Sequence, residues 1–225
     1  MSAESDDMND GPRVEDAGPD SLQYAIRAAR WLGLDLDQDQ QASLTKYRDW
    51  LEREAIPGGG VGPNEPARLW SRHIADSLLF GLALEDVKEC GDLGSGAGLP
   101  GIPLAIIRPE VEFSLVDKSR RRCDLLDRAI VVLGLRNCTI IHSDLGAVDR
   151  KWKSIVSRAA MPIEHLVIHV KRCLETGGSG IVGLTRTRPG RFKTPAPPPG
   201  LSFEVVDVPD DILDTRVQLL RIEAF

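Results

Sequence analysis

Cys90-Gly91-Asp92-Leu93-Gly94-Ser95-Gly96-Ala97-Gly98-Leu99-Pro100-Gly101 is the stretch whose reading decides the fold. It begins at the end of a β-rich run over 88–93 and continues as a loop punctuated by glycine. Glycine adopts backbone angles closed to other residues and lets a ligand approach the main chain without meeting a Cβ. Pro100 suits the first turn of the helix expected over 99–108, where its missing N–H would be unpaired in any case. A nucleoside cofactor would sit at that helix N-terminus.

Working outward from the loop, strands are expected at 88–93, 111–116, 137–142, 153–157, 179–184, 201–208 and 215–222. Helices are expected at 99–108, 119–133 and 163–174. This alternation implies βαβ units, a mostly parallel seven-stranded sheet and helices on both faces, the α/β Rossmann-like class. The last two strands are separated by only Pro209-Asp210-Asp211 and should form an antiparallel edge hairpin. Upstream, Leu22, Ile26 and Ala29 share a helical face, as do Leu44, Tyr47, Leu51 and Ala55. Trp70, Ile74, Leu78 and Leu82 recur every four residues. The expected organisation is a disordered acidic tail at 1–20, a helical region at 21–86 and the sheet domain at 87–225.

Composition narrows the class. The 225 residues are 42% hydrophobic and 28% charged, which excludes a wholly disordered chain. The longest uncharged stretch, Leu93–Ile107, holds four Gly and two Pro and cannot span a bilayer as a helix. No export signal is read at the N-terminus. Cys90, Cys123, Cys138 and Cys173 are widely spaced, which points to reduced thiols in a cytoplasmic protein rather than disulfides or zinc. The net charge of −6 conceals a split: residues 118–193 carry 16 basic and 6 acidic side chains. Such a basic half suits a polyanionic partner, though a merely solvated face is the bland alternative. Within it, Arg121 and Arg122 follow the second strand, and Arg186 and Arg188 open a basic segment, Thr185–Gly200, read as a mobile loop. His165 and His169 fall opposite the stripe of Ile163, Leu166, Val167, Val170 and Leu174, so no metal site is expected.

Two glycine templates compete for the loop. Gly96 to Gly101 formally fits the GxGxxG dinucleotide fingerprint. However, Gly94 occupies the tight turn directly after the strand, and counting from it gives GxGxG preceded by Asp92. That pattern resembles motif I of class I S-adenosylmethionine (SAM) methyltransferases. SAM carries no phosphate and is cationic at its amino group and sulfonium, so an acid at Asp92 is compatible with it. Asp117, closing the second strand, is placed to accept ribose hydroxyls, although NAD folds use an acid there too.

Longer matches point to one family. Asp92 through Ile106, with Arg108-Pro109, resembles the bacterial small-subunit ribosomal RNA methyltransferase G family, also called glucose-inhibited division protein B. Arg72-His73-Ile74-Ala75-Asp76-Ser77 resembles its RHxxDS motif, Leu115-Val116-Asp117 with Arg121-Arg122 its LLDSxxKR, and Ser157-Arg158-Ala159 its SRA segment. The resemblance implies methyl transfer from SAM to guanine N7 in 16S rRNA. It implies cofactor contacts at Gly94, Leu99, Leu145, Gly146 and Arg158, to which the loop reading adds Asp92, Gly96, Gly98 and Asp117. Arg158 is expected to position the reactants. Arg121, Arg122, Arg186 and Arg188 are expected to meet RNA, with 16S rRNA or the small ribosomal subunit as partner and a monomer as the acting form. No metal and no membrane are expected.

The chain departs from the family pattern at four places. Gly146 stands where an acid is usual, and Leu51 stands where an Asn follows Trp50. A glycine-rich loop at 57–63 replaces an Asn-Leu-Thr stretch, and Leu184-Thr185-Arg186 lacks a Lys. Two alternatives therefore stay open: a methyltransferase acting on a small molecule, and a SAM-binding relative without transfer.

Overall fold

Seven strands form one sheet in the computed structural model, which describes residues 20–184 and 194–225, with the backbone alone at 186–188 and 191–192. They are β1 (Glu89–Leu93), β2 (Glu112–Asp117), β3 (Cys138–His142), β4 (Trp152–Ser157), β5 (Leu174–Gly183), β6 (Leu201–Val208) and β7 (Val217–Ala224). Their order across the sheet is β3-β2-β1-β4-β5-β7-β6. The first five are parallel, and β7 runs antiparallel to both of its neighbours. The chain order therefore reverses beside β1, between β2 and β4. At such a point the crossover helices leave on opposite faces and open a crevice beyond the strand C-termini.

Both faces are covered. One apolar core joins β1 and β2 to α1 (Gln23–Trp31), α2 (Gln38–Trp50), α3 (Gly101–Ile107) and α4 (Arg120–Leu133). The other holds Trp152, Val116 and Leu220 against Ile163, Leu166, Val167 and Val170 of α5 (Ile163–Cys173). The N-terminal helical region contributes Tyr47, Leu51, Ile74 and Leu78 to the first core, so it packs as part of the sheet domain's interior. Leu51, at the position of the family's Asn, is fully buried there. Asp37 and Gln40 form a reciprocal capping box that starts α2.

Several boundaries differ from the sequence reading. Asp20, assigned to the tail, is part of the fold: its carboxylate accepts from Trp70 and Ser71 N–H at 2.9 and 2.8 Å. It thereby caps the helical run over 69–83, which passes from π-helix through an α-turn to 3-10 helix. The rest of the expected tail lies outside the described residues. Pro100 precedes α3 rather than opening its first turn, and the Leu99–Pro100 peptide is cis. A turn of helix, Asp210–Leu213, separates β6 from β7, because Pro209 and two acids make a favourable start. α1 docks on that turn through Arg27 and Tyr24, which both reach Asp214. Within the segment expected to be a loop, Arg186–Arg188 pairs antiparallel with Arg191–Phe192. Among the described residues no helix is long and apolar enough to cross a membrane.

Candidate functional site: a glycine-loop cleft at the ends of β1, β2 and β4

The glycine loop leaves β1 with Gly94 and Ser95 N–H both donating to the Val116 carbonyl of β2 at 2.9 Å. This turn requires positive φ at Gly94 (+80°) and Gly96 (+62°), where a side chain would be strained. A Cβ on Gly94 would overlap Ala160, whereas one on Gly96 would meet nothing nearer than the Gly94 oxygen at 4.0 Å. The open face of Gly96 is thus a wall of the cleft. Its N–H donates to Asp117 Oδ2 at 3.0 Å, and Ser119 N–H donates to Asp117 Oδ1 at 2.8 Å. A carboxylate has about four acceptor positions, so Asp117 retains capacity toward the cleft it lines.

That cleft has a volume of about 320 Å³. Of the nine expected cofactor residues, Gly94, Gly96, Leu99, Asp117, Leu145 and Arg158 line it. Asp92, Gly98 and Gly146 are not among its lining residues. Asp92 is fully buried beneath the loop, where Ser95 Oγ and Gly101 N–H (3.0 Å) donate to its Oδ2 while Oδ1 has no partner. Burial pushes its carboxyl up to about 7 against those two hydrogen bonds. Asp92 therefore braces the loop against α3 from below. Gly98 faces Ile102 and the Tyr47 hydroxyl, away from the cleft, and Tyr47 Oη donates to the Ala97 carbonyl at 2.9 Å. The helical region thus shores up the loop from outside the sheet.

Sequence reading missed Asp144. It lines the cleft one residue before Leu145, and its Oδ1 accepts Gly146 N–H at 2.8 Å. The signal was an acid just beyond β3, two residues ahead of the position where the family carries its own. Arg172 was also missed and has no sequence signal: from α5 it donates to the carbonyls of Leu145, Gly146 and Val148 and fixes that turn.

Arg158, directly after β4, is held on several sides. Its Nη1 donates to the Arg72 carbonyl at 3.0 Å and to Asp76 Oδ2 at 3.1 Å, and its Nη2 meets His73 Nδ1 at 3.2 Å. Because Arg158 can only donate, His73 Nδ1 is the acceptor and Nε2 carries the proton, facing Glu65 Oε2 at 3.0 Å. Burial, followed by the Arg158 charge, lowers His73 to about 4 against the pull of Glu65, so the ring is neutral at pH 7. The Arg72 main-chain carbonyl and the His73 and Asp76 side chains thus orient Arg158, whose Nη1 and Nη2 are engaged within the chain. Arg122 lines the cleft 3.7 Å from Asp117, and Arg121 lies beside Gly59. The side chains of Arg186 and Arg188 lie outside the described residues.

The sheet order, the crevice beside β1, the glycine loop and the acid closing β2 together define the class I SAM-dependent methyltransferase fold. Solved structures agree on the fold. The putative methyltransferase yhhF from Escherichia coli aligns over 68% of this chain and 87% of its own, with a TM-score of 0.51 at 17% identity. MtNAS, solved in complex with MTA and tNA, aligns over 91% of this chain and 75% of its own, with a TM-score of 0.55 at 15% identity. The chain belongs to the rRNA small subunit methyltransferase G family, whose model matches residues 40–182. Relatives named ribosomal RNA small subunit methyltransferase G include one from Acidothermus cellulolyticus, 37% identical over 60% of this chain and 61% of its own. Another, from Mycobacterium sp. (strain KMS), is 33% identical over 62% of this chain and 64% of its own. The matched region thus spans somewhat under two thirds of these relatives' length.

Proposed function

We propose that this chain is a SAM-dependent methyltransferase that modifies guanine N7 in small-subunit rRNA, acting in the cytoplasm as a monomer. The observation that carries the reading is the pairing of Gly96 with Asp117 at the cleft wall, an open glycine face beside a carboxylate with acceptor capacity to spare. The residues present fit the cofactor. Asp117 would take the ribose hydroxyls, Leu99 and Leu145 would flank the adenine, and Asp144 stands near the position of the family's missing acid. When bound, SAM supplies a methyl that passes to the N7 lone pair while its sulfur keeps the electrons of the broken bond.

Guanine N7 has no proton to lose, so the protein need supply no base. His73 gives its Nδ1 lone pair to Arg158 and does not line the cleft, in keeping with that economy. What the chain contributes is position and exclusion of water: the loop braced by Asp92 and Tyr47, and Arg158 fixed at the edge of the cleft. A small-molecule acceptor is the second reading. It is favoured by the burial of Leu51, which leaves no polar group where the family carries Asn. Tritium transfer from labelled SAM to protein-free 16S rRNA, to small subunits and to a small-molecule extract separates them. Label in rRNA as N7-methylguanosine is expected, and label confined to the extract would refute the proposal.

A further inference from the structure

A second cavity, of about 640 Å³, shares only Arg158 and Ala159 with the glycine cleft. Its size is within the ~300–1,000 Å³ of ordinary ligand sites. Leu184, Leu213 and Val217 give it an apolar floor, with Phe80 beneath. Its rim carries Arg68, Arg72 and Arg216, whose side chains are 49%, 61% and 50% exposed. Glu65 serves both Arg68 (2.9 Å) and Arg72 (3.6 Å), Asp207 lies 3.6 Å from Arg216, and Asp76 is held by Arg158. Two rim arginines thus share the single carboxylate of Glu65, and the Arg72 terminal nitrogens have no hydrogen-bond partner among the described residues.

Methyl transfer requires the acceptor to lie in line beyond the donor, hence in space that adjoins the donor cleft. An acceptor with a flat apolar body and anionic flanks matches this floor and rim. Proteins that do chemistry on a base take it unpaired into a pocket, and arginine recognises phosphate through its planar fork. We propose that the second cavity is the acceptor subsite: it takes one unpaired nucleotide of RNA, the base against the apolar floor and the flanking phosphates on Arg68 and Arg72. What the nucleotide is there for rests on the methyltransferase reading above; that it binds does not.

The test uses the full chain saturated with S-adenosylhomocysteine and a labelled, guanine-containing RNA single strand, read by fluorescence anisotropy across a salt series. Two variants probe the cavity independently: Arg68→Glu with Arg72→Glu, and Ser71→Trp, which fills the space from a wall position. Thermal melts and S-adenosylhomocysteine titrations accompany each. The charge-reversed protein should bind RNA at least about tenfold more weakly, with a salt slope reduced by roughly 1.4 for two lost single-strand phosphate contacts. Ser71→Trp should lose a similar factor with its salt slope unchanged, and cofactor-product affinity should hold in both. RNA affinity within about twofold of wild type in both variants overturns the proposal. So does a wild-type protein that binds no RNA, or loss of S-adenosylhomocysteine affinity in a folded Ser71→Trp protein. RNA held through the cavity without methyl transfer would sink the proposed function and leave the subsite. Methyl transfer at wild-type rate by both variants would do the reverse.

Discussion

Asp92→Asn is the substitution that most sharply separates a brace beneath the loop from a charged ligand within the cleft. Asp92 is fully buried, and its carboxyl is raised to about 7 by burial. A carboxyl raised in the folded state contributes stability that is fully present below its unfolded value near 4. That contribution is lost as pH rises through about 7. A carboxyl carried from near 4 to about 7 makes ionising Asp92 cost the fold roughly 4 kcal/mol above neutral pH. Asparagine keeps the geometry: its Oδ1 accepts from Ser95 and Gly101, and its amide replaces the oxygen that has no partner. Chemical denaturation of both proteins in half-unit steps from about pH 4 to about 7 isolates the group, because every other titration cancels in the difference. The stability difference should move in favour of Asp92→Asn by up to about 4 kcal/mol as pH rises. S-adenosylhomocysteine affinity should stay within about threefold. Parallel stability profiles together with lost affinity would refute the reasoning and return Asp92 to the cleft as an ionised ligand.

Gly96→Val should abolish S-adenosylhomocysteine binding by calorimetry, since a branched side chain would both fill the open wall and strain a φ of +62°. Arg158→Lys should lower single-turnover methylation by up to about 100-fold with the fold intact, because a single ammonium nitrogen cannot reproduce the planar fork whose Nη1 meets Arg72 and Asp76 while Nη2 meets His73. Wild-type turnover in that variant would remove Arg158 from the site. Arg172→Leu should weaken S-adenosylmethionine binding without changing RNA affinity, because three carbonyls of the 145–148 turn lose their common donor. For His73, whose folded value of about 4 lies below its unfolded one, stability is present above about 6.5 and is lost as pH falls through about 4. His73→Gln should flatten that acid limb in denaturation curves.

The sheet and the glycine-loop cleft were legible where local grammar carries the signal. Strand–glycine loop–helix, and an acid closing the next strand, are encoded within the 29 residues from Glu89 to Asp117, and Gly94, Gly96 and Asp117 line the cleft. Family resemblance added Arg158 and Leu145. Asp92 lies beneath the loop, and spacing cannot tell an acid aimed into a crevice from one aimed there; the difference is the buried Ser95 and Gly101 donors. Long-range contacts left no trace. His73 and Asp76 reach Arg158 from more than 80 residues away, with Glu65 behind His73, and Arg172 reaches the 145–148 turn from another helix. The second cavity is likewise a product of packing, since the helical run over 69–83 meets β5 and β7 only in the folded chain. Asp20 read as tail because one capping carboxylate among several acids has no distinguishing neighbour in sequence.

The most direct test of the central claim is mass mapping of 16S rRNA fragments from cells with and without this gene. N7-methylguanosine present at one guanine in wild-type cells, absent in the deletion and restored by the wild-type chain but not by Gly96→Val, is the predicted result. An identical methylation map in the presence and absence of the gene would contradict it.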